Sequence, residues 1–334
     1  LTSNQTEENN MSVVQITNGS YLNQEVTGIF PVVSEMKVGK DGIHFITVDA
    51  SETEFKRSKI RVKVRPENVE TISEHNETDD EVMNRIAERF SILDEMTVAT
   101  CDGIVRGMVV SGPPGIGKTY GVEQILEKDS LFDVMADNPL RHTFVKGTMS
   151  PIGLYAMLYK YSDAKNIVVL DDCDSILFDE NALNILKAAL DSGKKRYISW
   201  NSDSHFLRRE GVPDRFEFKG SVIFITNLKF DNVRSNKIKD HLEAIMSRCH
   251  YLDLTMDTTR EKILRIRQIA RDGGLFDQKG LTKDQERSIV DFLQDNQAKM
   301  REISLRMAQK LADLCKMSPT RWQRLAETTC MKRI

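Results

Sequence analysis

The stretch that most restricts the fold is residues 107–128. Gly107-Met108-Val109-Val110-Ser111 reads as a short buried strand, and residues 120–128 (YGVEQILEK) read as a helix. Between them stands Gly112-Pro113-Pro114-Gly115-Ile116-Gly117-Lys118-Thr119, which fits G-x-x-x-x-G-K-[ST] at every fixed position. Glycines let the backbone curl so that its N–H groups converge on an anion. The helix that follows, with Tyr120 in its first turn, adds unpaired N–H groups and the positive end of its dipole. A nucleoside triphosphate is the expected ligand. Lys118 is expected on its β and γ phosphates, and the Thr119 hydroxyl on Mg²⁺.

Two further strands carry chemistry. Ile167-Val168-Val169-Leu170-Asp171-Asp172 is apolar and ends in two acids. A parallel sheet collects the C-terminal ends of its strands at one edge, where ligands bind. Asp171 is therefore expected to orient Mg²⁺ or its water, and Asp172 to polarise the attacking water as a general base. Asp174 reads as a helix cap. Ser221-Val222-Ile223-Phe224-Ile225-Thr226-Asn227 ends in an amide that can hold the lytic water, although Asn227 alone also reads as a turn residue.

The remainder sorts by local pattern. Residues 1–30, rich in Asn, Gln, Thr and Ser, are expected to form a flexible polar arm. Residues 31–78 read as a small β-rich module. Glu35-Met36-Lys37-Val38 and Ile43-His44-Phe45-Ile46-Thr47-Val48 flank a Gly39-Lys40-Asp41-Gly42 turn. Ile60, Val62 and Val64 then alternate with Arg61, Lys63 and Arg65. That basic face reads as solvated surface or as a phosphate contact. Residues 79–256 alternate helix and strand, the mark of an α/β domain with three αβα layers around a parallel sheet. Residues 257–334 hold only helical patterns, such as Ile289, Phe292 and Leu293 at i, i+3 and i+4.

Composition excludes several classes. A net charge of −3 over 334 residues means that any basic surface is local. Five cysteines without a C-x-x-C pair fit reduced thiols and neither a zinc site nor a disulfide framework. No apolar run approaches the roughly 18–20 residues of a membrane span. The opening LTSNQTEENN is too polar for a secretory signal. No membrane partner and a cytoplasmic location are expected.

The order of P-loop, acidic strand, strand ending in Asn and helical domain resembles the AAA+ ATPases from about residue 79 onward. The resemblance implies ATP and Mg²⁺ as cofactors, ATP hydrolysis as the activity, and a C-terminal helical lid. It implies Asp171 as the Walker B metal residue and Asn227 as sensor 1. Asp172 stands where most of the family has Glu, one methylene longer. Arg248, within Met246-Ser247-Arg248-Cys249, resembles the arginine finger of the Ser-Arg-Cys motif in clamp-loader ATPases. Such a finger reaches a neighbouring subunit's nucleotide, which implies a homo-oligomer, a hexameric ring or spiral. Arg306 falls at the sensor 2 position, with Arg301 as its competitor.

The segment before Asn227 bears on the substrate. Arg196-Tyr197-Ile198-Ser199-Trp200 and Arg215-Phe216-Glu217-Phe218-Lys219 read as strands around a loop holding His205, Phe206, Arg208 and Arg209. Seven Lys/Arg oppose four Asp/Glu between residues 194 and 219. This insert resembles the pre-sensor-1 hairpin of some AAA+ proteins and superfamily-three helicases, and the paired acids resemble those helicases too. A basic, aromatic tip suits single-stranded nucleic acid, and it also suits an extended polypeptide. The leading expectation is an oligomeric motor, helicase or loader acting on DNA in replication or recombination. A protein-remodelling ATPase and an ATP-dependent assembly switch with little hydrolysis are the alternatives. The compact plan resembles such proteins encoded by phages, for which the host cytoplasm is the expected compartment.

Overall fold

The computed structural model describes residues 13–332 apart from 23, 40–42, 52, 54, 56, 73–76, 229–235 and 257. The first twelve residues and most of the turn expected at 39–42 lie outside the described residues. The chain divides into two compact units, residues 1–78 and residues 79–334.

The first unit is a small antiparallel barrel. Its strands are β1 (Val13–Tyr21), β2 (Gln24–Val38), β3 (His44–Ala50), β4 (Arg57–Val64) and β5 (Val69–Ile72). Strand β1 pairs with β2, touches β4 at Ser20 opposite Lys63, and pairs with β5. The sheet β1-β2-β3-β4 therefore closes on itself. Alternation explains the core: Val14, Ile16, Val26, Phe30, Ile46, Val48, Ile60, Val62 and Val64 point inward and are buried. The structure corrects the flexible arm expected over residues 1–30, since residues 13–21 and 24–30 are strands. Their polar residues occupy the outward positions between Val14, Ile16, Val26 and Phe30. Gly19 permits the closure, because a Cβ there would lie 2.6 Å from Val62 Cγ1.

The second unit opens with α1 (Asp79–Cys101), β6 (Gly107–Ser111), α2 (Lys118–Asp129), α3 (Leu131–Met135), β7 (His142–Lys146) and α4 (Pro151–Lys160). Then come β8 (Ile167–Asp171), α5 (Glu180–Ala189), β9 (Tyr197–Ser199), α6 (His205–Arg209), β10 (Arg215–Glu217), β11 (Ser221–Thr226), α7 (Asn236–Met246) and β12 (His250–Asp253). Five of these strands form a parallel sheet in the order β12-β6-β11-β8-β7. Strands β6, β8 and β11 are buried along their whole length, as a sheet covered on both faces requires. Val109, Val168, Leu170, Val222 and Phe224 face one core with residues of α4, α5 and α7. Met108, Val110, Val169, Ile223 and Ile225 face another with residues of α1, α2 and α8 (Thr259–Asp272).

Beyond α8 lie α9 (Lys283–Asp295), α10 (Leu305–Met317) and α11 (Trp322–Thr329), with a core of their own built on Ile289, Phe292, Leu293, Leu311 and Trp322. Their starts are written in the sequence. Thr258 with Glu261 and Thr282 with Gln285 form reciprocal capping boxes, and Ser304 accepts from the Met307 N–H. Helix α10 begins at Leu305 because Ser304 takes the cap.

Candidate functional site

The strand order decides what meets at the site. Strand β11 lies between β6 and β8, with Ile225 opposite both Val110 and Asp171. Asn227, just past β11, therefore emerges between the P-loop that follows β6 and the acids that end β8. Gly115 (φ 73°) and Gly117 (φ 100°) take the left-handed conformations that let the loop turn back over the start of α2.

Lys118 Nζ donates to the carbonyls of Gly112 (2.6 Å) and Pro113 (2.9 Å) and to Asn227 Oδ1 (2.7 Å). Burial pulls its ammonium down to about 8, against the opposing attraction of Asp172 and Asp171. The Thr119 hydroxyl donates to Asp171 Oδ1 at 3.0 Å. Asn227 Nδ2 donates to Asp172 Oδ1 at 2.8 Å. Asp172 has a left-handed backbone (φ 51°), and its N–H donates to the Ile225 carbonyl. Asp174, expected as a helix cap, instead accepts from the Thr226 hydroxyl at 2.7 Å, and burial raises its carboxyl.

A cleft of about 850 Å³ opens over these groups, with Pro114, Gly115, Gly117, Lys118, Thr119, Tyr120, Asp171, Asp172, Asn227 and Arg306 on its wall. Helix α10 forms one side directly. The Leu305 N–H donates to the Gly115 carbonyl at 2.8 Å, and a Cβ on Gly115 would lie 2.8 Å from Ser304 Cβ. Of the two competing arginines, Arg306 lines the cleft. Arg301 binds the chain's end through Cys330 O and Met331 O, both at 3.0 Å.

Arg248 stands elsewhere. It is exposed at the end of α7, where it donates to the Ala244 carbonyl, and it is not on the wall of this cleft. Its neighbour Cys249 is the anchor. A Cβ on Gly107 would lie 2.8 Å from Cys249 Sγ, and burial raises that thiol to about 12. The insert holds β9 and β10 as an antiparallel pair, with the expected loop folded into α6. Leu207 anchors α6 in the core, leaving His205, Phe206, Arg208 and Arg209 exposed. Arg208 pairs with Asp203, and Arg209 with Glu210 at 3.1 Å.

Three wall or near-wall groups carry no readable signal in sequence. Lys146, at the end of β7, reaches Asp171 Oδ2 at 3.7 Å. Arg265 is buried on α8 with its guanidinium 3.5 Å from the Phe90 ring centroid, and both line the cleft. Arg265 reads as surface on an amphipathic helix, and Phe90 as core.

The donor set fits Mg²⁺. One hydroxyl and one carboxylate oxygen, already within hydrogen-bond distance of each other, leave further positions to phosphate and water, as that ion prefers. Among the described residues no cluster of three His, Cys, Asp or Glu forms an all-protein metal cage.

No protein-family model matches the chain. A protein of Enterobacteria phage T4, described as an uncharacterized 36.7 kDa protein in the nrdC-mobD intergenic region, is 30% identical over 325 residues, 95% of this chain and 97% of the relative. The chain belongs to the family of that phage protein. Among solved structures, domain III of the replication initiation protein DnaA from Thermotoga maritima aligns over 73% of this chain and 92% of its own at 12% identity, with a TM-score of 0.42. C. elegans PCH-2 aligns over 75% of this chain and 66% of its own at 15% identity, with a TM-score of 0.35. Among the described residues no helix is long and apolar enough to cross a membrane.

Proposed function

We propose that this member of the phage family is a Mg²⁺-dependent ATP hydrolase of the AAA+ type that assembles into a ring or spiral and couples turnover to work on DNA. One observation carries the reading: Lys118, Thr119, Asp171, Asp172, Asn227 and Arg306 line a single cleft although they come from four separated stretches of chain. The P-loop N–H groups and Lys118 hold the phosphates, and Thr119 with Asp171 would hold Mg²⁺, which neutralises phosphate charge when bound. Asp172 accepts a proton from the attacking water, with Asn227 fixing the carboxylate. Arg306 brings positive charge from the helical lid, so closure of α10 and nucleotide occupancy favour each other. Arg248, exposed and not on the wall of its own cleft, suits a role in a neighbouring subunit's cleft.

A second reading, an ATP-dependent assembly switch, draws on Asp172 alone. Its short side chain is tied to Asn227, which suits slow hydrolysis. The deciding experiment is steady-state ATP turnover alone, with single-stranded DNA and with an unfolded protein, using Lys118→Ala as blank. Stimulation by DNA of about tenfold, near 1.4 kcal/mol of coupling, is expected. Stimulation by polypeptide alone would replace DNA work with protein remodelling. No turnover above the blank, with nucleotide-dependent assembly, would leave the switch.

A further inference from the structure

The outer face of the N-terminal barrel carries a basic row beside an aromatic ring. On β4, buried Ile60 and Val62 alternate with exposed Lys59, Arg61 and Lys63. The register sets Lys63 opposite Phe45 on β3, and Phe45 opposite Lys37 on β2. One cross-strand line therefore reads Lys37, Phe45, Lys63, and the Arg61 guanidinium lies 4.1 Å from the Phe45 ring centroid. Same-face residues along a strand are about 7 Å apart and neighbouring strands about 4.8 Å, so adjacent cations sit within a Debye length of about 10 Å at 0.1 M salt. Among the described residues, none of these four cations has a carboxylate within ion-pair distance. Asp49, further along β3, accepts from the Ser51 hydroxyl at 2.6 Å.

Like charges set side by side on a sheet repel, and a face made only for water avoids this by mixing signs. The insert is mixed. Arg208, Arg209 and Lys219 each have an acidic partner, and Arg196 is buried on the carbonyls of Ala189 and Gly220. Exposed Lys194, Lys195 and Arg215 have no acidic partner among the described residues, Arg215 lying 4.3 Å from the Tyr197 ring centroid. In a protein whose net charge is −3, the barrel sets four such cations on β2 and β4, the two strands that flank the Phe45 ring on β3.

We propose that this β3–β4 face binds single-stranded nucleic acid. Lys37, Lys59 and Lys63 hold phosphates, and the Phe45 ring stacks on a base, with Arg61 adding its planar cation to the stack. An acidic polypeptide would use the cations and leave the ring idle. The inference rests on the DNA reading above and gives that reading its point of contact.

The test is fluorescence anisotropy of the full chain with labelled oligo(dT) of about thirty nucleotides, longer than one site, across a salt series. Lys59→Gln/Lys63→Gln should make the slope of log K against log salt shallower by about 1.4, two phosphate contacts at about 0.7 each. Phe45→Leu should weaken binding about tenfold at every salt concentration. Both variants should keep the native circular dichroism and the ATP turnover measured without DNA. Native affinity and slope in both variants, in a protein that does bind oligo(dT), would overturn the inference and leave the DNA reading standing. Displacement by poly-glutamate as readily as by unlabelled DNA, with Phe45→Leu silent, would reassign the face to acidic polypeptide. No binding or stimulation by DNA in the native protein would remove both.

Discussion

Lys118 and Asn227 are joined by a 2.7 Å hydrogen bond, and the same amide donates to Asp172 at 2.8 Å. One side chain thus spans the proposed phosphate-binding lysine and the proposed general base. It can do so only because β11 lies between β6 and β8. An amide is suited to the task, since it accepts from the ammonium with its oxygen and donates to the carboxylate with its nitrogen.

Asn227→Ala removes both bonds and leaves the P-loop backbone intact. Hydrolysis is expected to fall about 10²-fold, the order found when one fixed polar group is lost from a reacting centre. Nucleotide affinity should change by less than about tenfold, because the effect belongs to the transition state. Single-turnover hydrolysis beside a nucleotide-binding titration separates the two. An equal loss in both would make Asn227 a binding residue only.

Burial lowers the Lys118 ammonium to about 8. Phosphate bound against it favours the charged form, so the bound site holds its proton to higher pH than the empty one. Affinity for triphosphate is therefore flat below about pH 8 and falls as pH rises beyond it, approaching tenfold per pH unit. Calorimetry in two buffers of different ionisation enthalpy should show net proton uptake on binding at about pH 9. Pure proton release there would contradict the burial argument.

The site was legible where chemistry is local in the chain. The P-loop, the Asp171-Asp172 pair and Asn227 each sit at a strand end, and hydrophobic patterning identifies strands. What stayed hidden depends on distant contacts. Arg306 and Arg301 are alike in sequence, and only the docking of Leu305 on Gly115 separates them. Lys146 and Arg265 reach the site through the register of β7 and the packing of α8 on α1, neither of which leaves a local signature. Strand β1 was missed because Val14 and Ile16 are the only buried apolar residues among its described side chains, too few to outweigh the polar residues around them.

Arg196 tests the insert as structure. Its guanidinium is buried and donates to Ala189 O at 2.7 Å and Gly220 O at 2.9 Å, tying α5 to the start of β11. Arg196→Met leaves both carbonyls without that partner, and stability should fall by about 2–4 kcal/mol. The melting temperature of a unit this size should drop by roughly 5–15 °C. Arg208→Met, at the solvated tip, should melt as the native protein does. Equal melting of both variants would mean that the insert is not braced by Arg196.

Asp172 is the residue where backbone and chemistry bear on each other. Its left-handed φ of 51° is a conformation that Asp and Asn adopt far more readily than Glu. The shorter acid is therefore suited to this turn, and under the proposed mechanism the water approaches closer to the strand end than a Glu would require. Asp172→Asn keeps the turn and can accept from Asn227, but it cannot take a proton. Nucleotide binding and melting temperature should stay native, with hydrolysis reduced about 10²–10⁴-fold. Asp172→Glu keeps the carboxylate but strains the turn, so it should melt lower, by about 1 kcal/mol of stability, and hydrolyse more slowly than the native chain. Faster hydrolysis by Asp172→Glu would show that Asp172 limits turnover, and would favour the assembly switch over the motor.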